Sequence, residues 1–331
     1  MEAFSMNSNT SWSQFWQQGF PTSFAKELPN SYKGAIEEFW RETAKSLDDN
    51  SRVLDIASGN GAIAIIIADE ARKQEKQVDV HAADLASISP QKTNKNPKLT
   101  QILSEITFHP NVEIEQLPFK KNSFELISSQ FGFEYSNIEK SITSISSSLK
   151  KGGHFKAICH FSESETHLKC KEDLEAYKFA EYQLHITTLV KSTLKEIGSI
   201  TSIAELELKL NQKSALNKLK ILIESTNKLL EKFPQSSPAE FISKSINYFF
   251  ANSLVSGMDQ KNHFAITFAK ELICAMQRTE DQLKATLTKG SVQKIESLFM
   301  RNKLKKISSR PFLENENLIG WLFDFKKCDS N

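Results

Sequence analysis

The sequence predicts an α/β protein: an open, mostly parallel sheet wound with helices, closed by an antiparallel C-terminal hairpin and carrying a large helical insertion. Three observations support this. Short apolar runs alternate with helical patterns between residues 52 and 161, which implies right-handed parallel crossovers. The alternation then stops, and more than a hundred residues carry helical periodicity without strand signals. Two β-like runs, LKKISSRPF and NLIGWLFDFKK, close the chain around the turn Glu314-Asn315-Glu316-Asn317.

In chain order, residues 1–50 read as an N-terminal helical and aromatic segment. WSQFWQQGFPTSF places Trp12, Phe15, Trp16, Phe20 and Phe24 close together, either as core or as a lid. A helix over 31–47 follows, with Tyr32, Ala35, Ile36, Phe39, Trp40 and Ala44 at spacings of three and four. Residues 51–162 form the sheet core. Strands are expected at 52–57, 78–83, 112–115, 124–131 and 154–161, helices at 61–71, 97–106 and 138–149, and a turn at Lys151-Gly152-Gly153. Residues 163–290 form the insertion, clearest in LNKLKILIESTNKLLEKF. There Leu216, Leu219, Leu222, Ile223, Leu229, Leu230 and Phe233 are expected on one stripe. Residues 291–331 supply a last helix and the hairpin.

Composition narrows the function classes. With 331 residues, 39% hydrophobic, the chain can bury one large core or two modest ones, and 23 Phe suggest a thick one. A net charge of +2 gives no electrostatic signal for nucleic acid. Cys159, Cys170, Cys274 and Cys328 lack metal or disulfide spacing, so no metal site is expected. No apolar run reaches the length of a membrane span and no secretory leader is evident, which predicts a soluble, cytoplasmic protein.

The chemistry concentrates in VLDIASGNGAIAI. Gly59, Gly61 and Ala64 satisfy the dinucleotide fingerprint, so NAD(P) is one reading. Asp55, four residues before Gly59, argues against a pyrophosphate there and suits a ligand with a cationic ammonium. Asp84, at the end of the second strand, can accept hydrogen bonds from ribose hydroxyls of either cofactor.

VLDIASGNGAIA, DVHAADLA, VEIEQLPFKKNSFELISSQFGFEY and LKKGGHFKAICHF, in that order, make the sequence resemble class I S-adenosylmethionine-dependent methyltransferases of the ubiquinone/menaquinone-biosynthesis type. The resemblance covers about residues 30–161 and the closing hairpin. It implies a Rossmann-like, seven-stranded, mostly parallel sheet whose last strand inserts antiparallel. It also implies S-adenosyl-L-methionine as cofactor and S-adenosyl-L-homocysteine as product. By position, the loop of Asp55, Ala57, Ser58, Gly59, Asn60 and Gly61 would cradle methionine and ribose, and Asp84 would take the ribose diol. Leu85 would pack on adenine, bordered by Glu113 and Ile114, with Glu113 standing where the family often has Asp. Gln130 and Phe131 would lie under the sulfonium and its methyl.

Acceptor chemistry is less legible. Candidate catalytic groups follow the strand ends: His160 first, then Glu134 and Glu163. A small-molecule acceptor between the core and a helical cap is the preferred reading, with the insertion also offering a surface for homo-oligomer formation. RNA or protein methylation, and a non-catalytic cofactor-binding regulatory protein, stay open as alternatives.

Overall fold

The computed structural model describes residues 8–23, 31–94 and 96–328. The chain divides into two compact units: Met1–His167 with Asp281–Asn331, and Leu168–Glu280. Phe24 lies outside the described residues.

Unit 1 begins with α1 (Ser8–Trp16) and α2 (Gly34–Lys45). It continues through β1 (Arg52–Ile56), α3 (Ala62–Lys73), β2 (Asp79–Asp84), the short helices α4 (Pro90–Thr93) and α5 (Thr100–Ser104), and β3 (Ile106–Pro110). Next come β4 (Phe124–Gln130), α6 (Ile138–Ser148) and β5 (Leu149–Cys159). After the insertion, α13 (Lys289–Arg301) leads into β6 (Leu304–Glu314) and β7 (Asn317–Lys327). Among the described residues these strands form one seven-stranded sheet in the order β3-β2-β1-β4-β5-β7-β6. The first five are parallel, β7 pairs antiparallel with β5, and β6 antiparallel with β7. This is the seven-stranded, Rossmann-like arrangement expected from sequence. Among the described residues no helix is long and apolar enough to cross a membrane.

Both sheet faces are covered, as parallel strands require. On one face, Trp40 of α2 and Ile63, Ile66 and Ile67 of α3 pack over Val53, Val80 and Leu126. Arg41 ties the outer surfaces of the two helices through Asp69 and Glu70. On the other face lies the aromatic core, where Phe299 of α13 stacks on Phe325 at 4.3 Å and meets Phe155 at 5.1 Å. Much of the phenylalanine content is spent here, each ring burying about 150–250 Å².

Three local expectations are corrected. Residues 112–115 do not form a strand; β3 is Ile106–Pro110, paired with β2 in parallel from Val80↔Ile106 to Asp84↔Pro110. Asn111 then takes a positive φ and ends the strand, so the apolar Val112 and Ile114 serve the loop beyond it. The expected helix over 97–106 breaks into a 3-10 turn, Pro97–Leu99, and the short α5, because β3 begins at Ile106. The Lys151-Gly152-Gly153 turn is a bulge inside β5: Leu149 pairs with Phe124 and His154 already with Leu126.

Unit 2 is helical. It takes most of α7 (Glu165–Lys178), then α8 (Ile186–Ile197), α9 (Ile203–Leu210), α10 (Lys213–Lys232), α11 (Ser237–Asn252) and most of α12 (Met258–Ala285). The α10 stripe is narrower than its periodicity predicts. Leu222 and Leu229 are buried, whereas Leu216 and Ile223 are exposed, since Ala215 and Thr226 complete the buried row. Lys261 is fully buried, and its Nζ donates to Gly198 O and Ser256 O.

Candidate active site

The C-terminal ends of β1, β2 and β4 meet in a cavity of about 500 Å³, and all of its lining residues belong to unit 1. Ligands in open α/β sheets bind at such ends. After β1, Ala57 and Gly59 take positive φ, and Gly61, in the left-handed region, starts α3. The loop folds back so that Gly59 N donates to Asp84 Oδ2 at 2.7 Å. Asp84 Oδ1 accepts from Ala86 N, also at 2.7 Å. Both hydrogen bonds favour the carboxylate, but burial outweighs them and lifts its pKa to about 6. Asp55 accepts from the Ser128 hydroxyl at 2.8 Å, and burial pushes its pKa up to about 7. Two desolvated carboxyls in one cavity call for a ligand bearing a positive charge or hydroxyl donors.

Across the cavity stand the residues that end β4. Gln130 Oε1 accepts from Trp40 Nε1 at 2.7 Å, which sets the orientation of its amide. Its Nε2 is then buried with no hydrogen-bond partner among the described residues. Phe131 has φ +54° and stacks on His160, centroids 4.4 Å apart. Glu134 is buried, and its Oε1 accepts from His160 N at 2.7 Å. Burial raises its pKa to about 7.

The structure brings Asp55, Ala57, Ser58, Asp84, Leu85, Glu113, Ile114, Gln130, Phe131 and Glu134 onto the cavity wall. It does not bring His160 there. That imidazole is buried, stacked between elements, and burial lowers its pKa to about 3. Glu163 is also away from the wall, half-exposed and paired with Lys289 at 2.8 Å. Gly59, Asn60 and Gly61 shape the loop without lining the cavity, because Trp16 covers Gly59 and Asn60 is buried beneath α1.

The model of the methyltransferase domain family matches residues 47–219, just over half of the chain. The chain belongs to this family. It is a class I S-adenosyl-L-methionine-dependent methyltransferase, with that family's sheet and S-adenosyl-L-methionine as cofactor. Ubiquinone/menaquinone biosynthesis C-methyltransferase UbiE of Rickettsia felis is 26% identical over 136 residues, and that of Rickettsia bellii 30% over 139. Each match covers 41% of this chain and 52% of the relative, so the chain spans about half the length of the curated relatives it matches. Among solved structures, a Methanococcus maripaludis protein covers 100% of this chain and 99% of its own at 13% identity and TM-score 0.47. Geranyl diphosphate C-methyltransferase from Streptomyces coelicolor covers 47% of this chain and 66% of its own, at 14% identity and TM-score 0.34.

Sequence reasoning missed part of the methyltransferase cavity. Pro21, Thr22, Ser23 and Tyr32 come from the N-terminal segment, and Asp281, Lys284 and Ala285 from the return of the chain after the insertion. No spacing signal marks the latter three. Trp12 and Trp16 had a signal, the WSQFW run, and serve both readings of it. They pack with Phe15, Ala86 and Ile88 and also line the cavity.

Proposed function

We propose that this methyltransferase alkylates a small-molecule acceptor in the unit 1 cavity, with Glu134 as the proton acceptor. The observation that carries this is the convergence of Asp55, Asp84, Gln130 and Glu134, all buried, on one cavity. When bound, S-adenosyl-L-methionine supplies an activated methyl on a sulfonium. The residues fit such a ligand. Asp84 retains lone pairs for the ribose diol beyond the two backbone donors it already serves. Asp55 would take the ammonium, and Leu85, Glu113 and Ile114 would border the adenine. The Ala57–Gly61 loop allows close backbone approach at its glycines. Gln130 and Phe131 would flank the sulfonium, the free amide hydrogens of Gln130 facing the ligand.

Glu134 suits proton removal better than His160, because a base works best with a pKa near the working pH. Its pKa stands at about 7, against about 3 for the stacked imidazole. Glu163, ion-paired outside the cavity, takes no part in this reading. The Rickettsia relatives are named C-methyltransferases, which supports a carbon acceptor. For such an acceptor, the Glu134 carboxylate would take the C–H proton displaced when the methyl is supplied by S-adenosyl-L-methionine, which leaves as S-adenosylhomocysteine.

The test is titration calorimetry with S-adenosylhomocysteine and NADH, followed by transfer of labelled methyl to a metabolite extract. S-adenosylhomocysteine should bind and NADH should not. Asp84→Ala should weaken S-adenosylhomocysteine binding at least a hundredfold, the equivalent of about 3 kcal/mol. Binding of NADH alone, or undiminished binding by Asp84→Ala, would sink the reading.

A further inference from the structure

We infer that Asn60 is a latch that holds the N-terminal segment closed against the cofactor loop, so that opening of this latch gates cofactor entry and product exit. Asn60 belongs to the loop between β1 and α3, yet its side chain makes no bond within that loop. Its Nδ2 donates to Trp16 O at 2.8 Å and to Phe20 O at 2.7 Å, which uses both amide hydrogens. Trp16 is the last residue of α1, and its carbonyl also accepts from Gly19 N at 3.1 Å in the turn that ends the helix. A side chain of the cofactor loop therefore caps the helix of the segment.

Two further contacts join the same partners. A Cβ on Gly59 would lie 2.4 Å from the Trp16 ring, so the indole rests on a spot that only glycine leaves free. Ser87 N, in the loop after β2, donates to Ser13 Oγ at 2.9 Å. The segment is thus fastened to both loops that carry the proposed cofactor residues, and Trp12, Trp16, Pro21, Thr22 and Ser23 form one wall of the cavity.

With its amide turned to the two carbonyls, Asn60 leaves Oδ1 buried and without a hydrogen-bond partner among the described residues. Burying an unsatisfied acceptor costs about as much as two ordinary hydrogen bonds contribute. Opening restores water to Oδ1, which offsets part of the cost of breaking the two Asn60 bonds and exposing the Phe15 and Trp16 rings. Asn60 is a positioning residue in this scheme and need not touch the cofactor.

The inference rests on the cofactor reading above, and the test separates the two. Stopped-flow tryptophan fluorescence would give association and dissociation rates for S-adenosylhomocysteine with the wild type, Asn60→Asp and Ser13→Ala. Aspartate is nearly isosteric but cannot donate to either carbonyl. A gate that opens more often raises both rates, whereas loss of a direct contact raises dissociation alone. Both rates should rise about tenfold in Asn60→Asp. They should rise together, by about two- to threefold, in Ser13→Ala, where the cofactor loop is untouched. A rise in dissociation alone, or rates equal to wild type in both variants, overturns the latch. Should Asn60→Asp fail to fold, unchanged rates in Ser13→Ala overturn it by themselves. Failure of the wild type to bind S-adenosylhomocysteine would instead refute the cofactor reading.

Discussion

At the scale of single residues, the site depends on carboxyls held out of water. Asp55 titrates at about 7 in the protein alone, because burial outweighs the Ser128 hydrogen bond. A ligand ammonium favours the ionised form, so binding below that value must expel a proton. S-adenosylhomocysteine affinity should hold above pH 7 and fall by up to about tenfold per pH unit as the pH drops through it. Calorimetry in buffers of different ionisation enthalpy would show the released proton. In Asp55→Asn the affinity should be weaker at pH 8 and nearly flat down to about pH 7, falling only as Asp84 protonates near 6. Asp55 and Asp84 could be singled out in the sequence because strand ends and glycine spacing mark their places. The difference between Glu134 and His160 could not, since both follow strand ends. What separates them is burial and the Phe131 stack, which arise only when β4 and β5 pair.

At the scale of elements, α13 is the helix on which the aromatic core turns. Phe299 is fully buried and touches rings from β5 and β7. Phe299→Ala should destabilise the protein by about 3–5 kcal/mol, read as a lower midpoint in urea unfolding with unchanged slope. Strong periodicity made β1, β2, β4, α3 and the closing hairpin legible. The stretch between β2 and β4 was misread because it mixes short apolar runs with turns. ITFHP and VEIE are equally plausible edge strands, and only pairing with β2 chooses between them. The bulge in β5 was read as a turn because Lys151-Gly152-Gly153 has turn composition, and no local signal says that the strand resumes in register.

At the scale of the whole molecule, the chain leaves unit 1 after His167 and returns at Asp281. The cavity is lined by unit 1 alone, so a cofactor analogue should stabilise that unit selectively. Scanning calorimetry with S-adenosylhomocysteine at a hundredfold excess over its Kd should raise the unit 1 transition, the gain being about 2.7 kcal/mol. A transition of unit 2 should stay in place; equal shifts in both would contradict independent units. The sheet order carries a separate consequence for biosynthesis. β5 ends at Cys159, but its antiparallel neighbour β7 begins only at Asn317. At ribosomal speeds the β5 edge therefore waits about 10–30 s for its partner, while all the residues of unit 2 emerge. During that interval β5 is a strand with one edge unpaired and its apolar residues Phe155, Ala157, Ile158 and Cys159 not yet covered by β7, the kind of edge that chaperones bind and that aggregates. The methyltransferase sheet is completed from its C-terminus, after the helical unit has had time to fold.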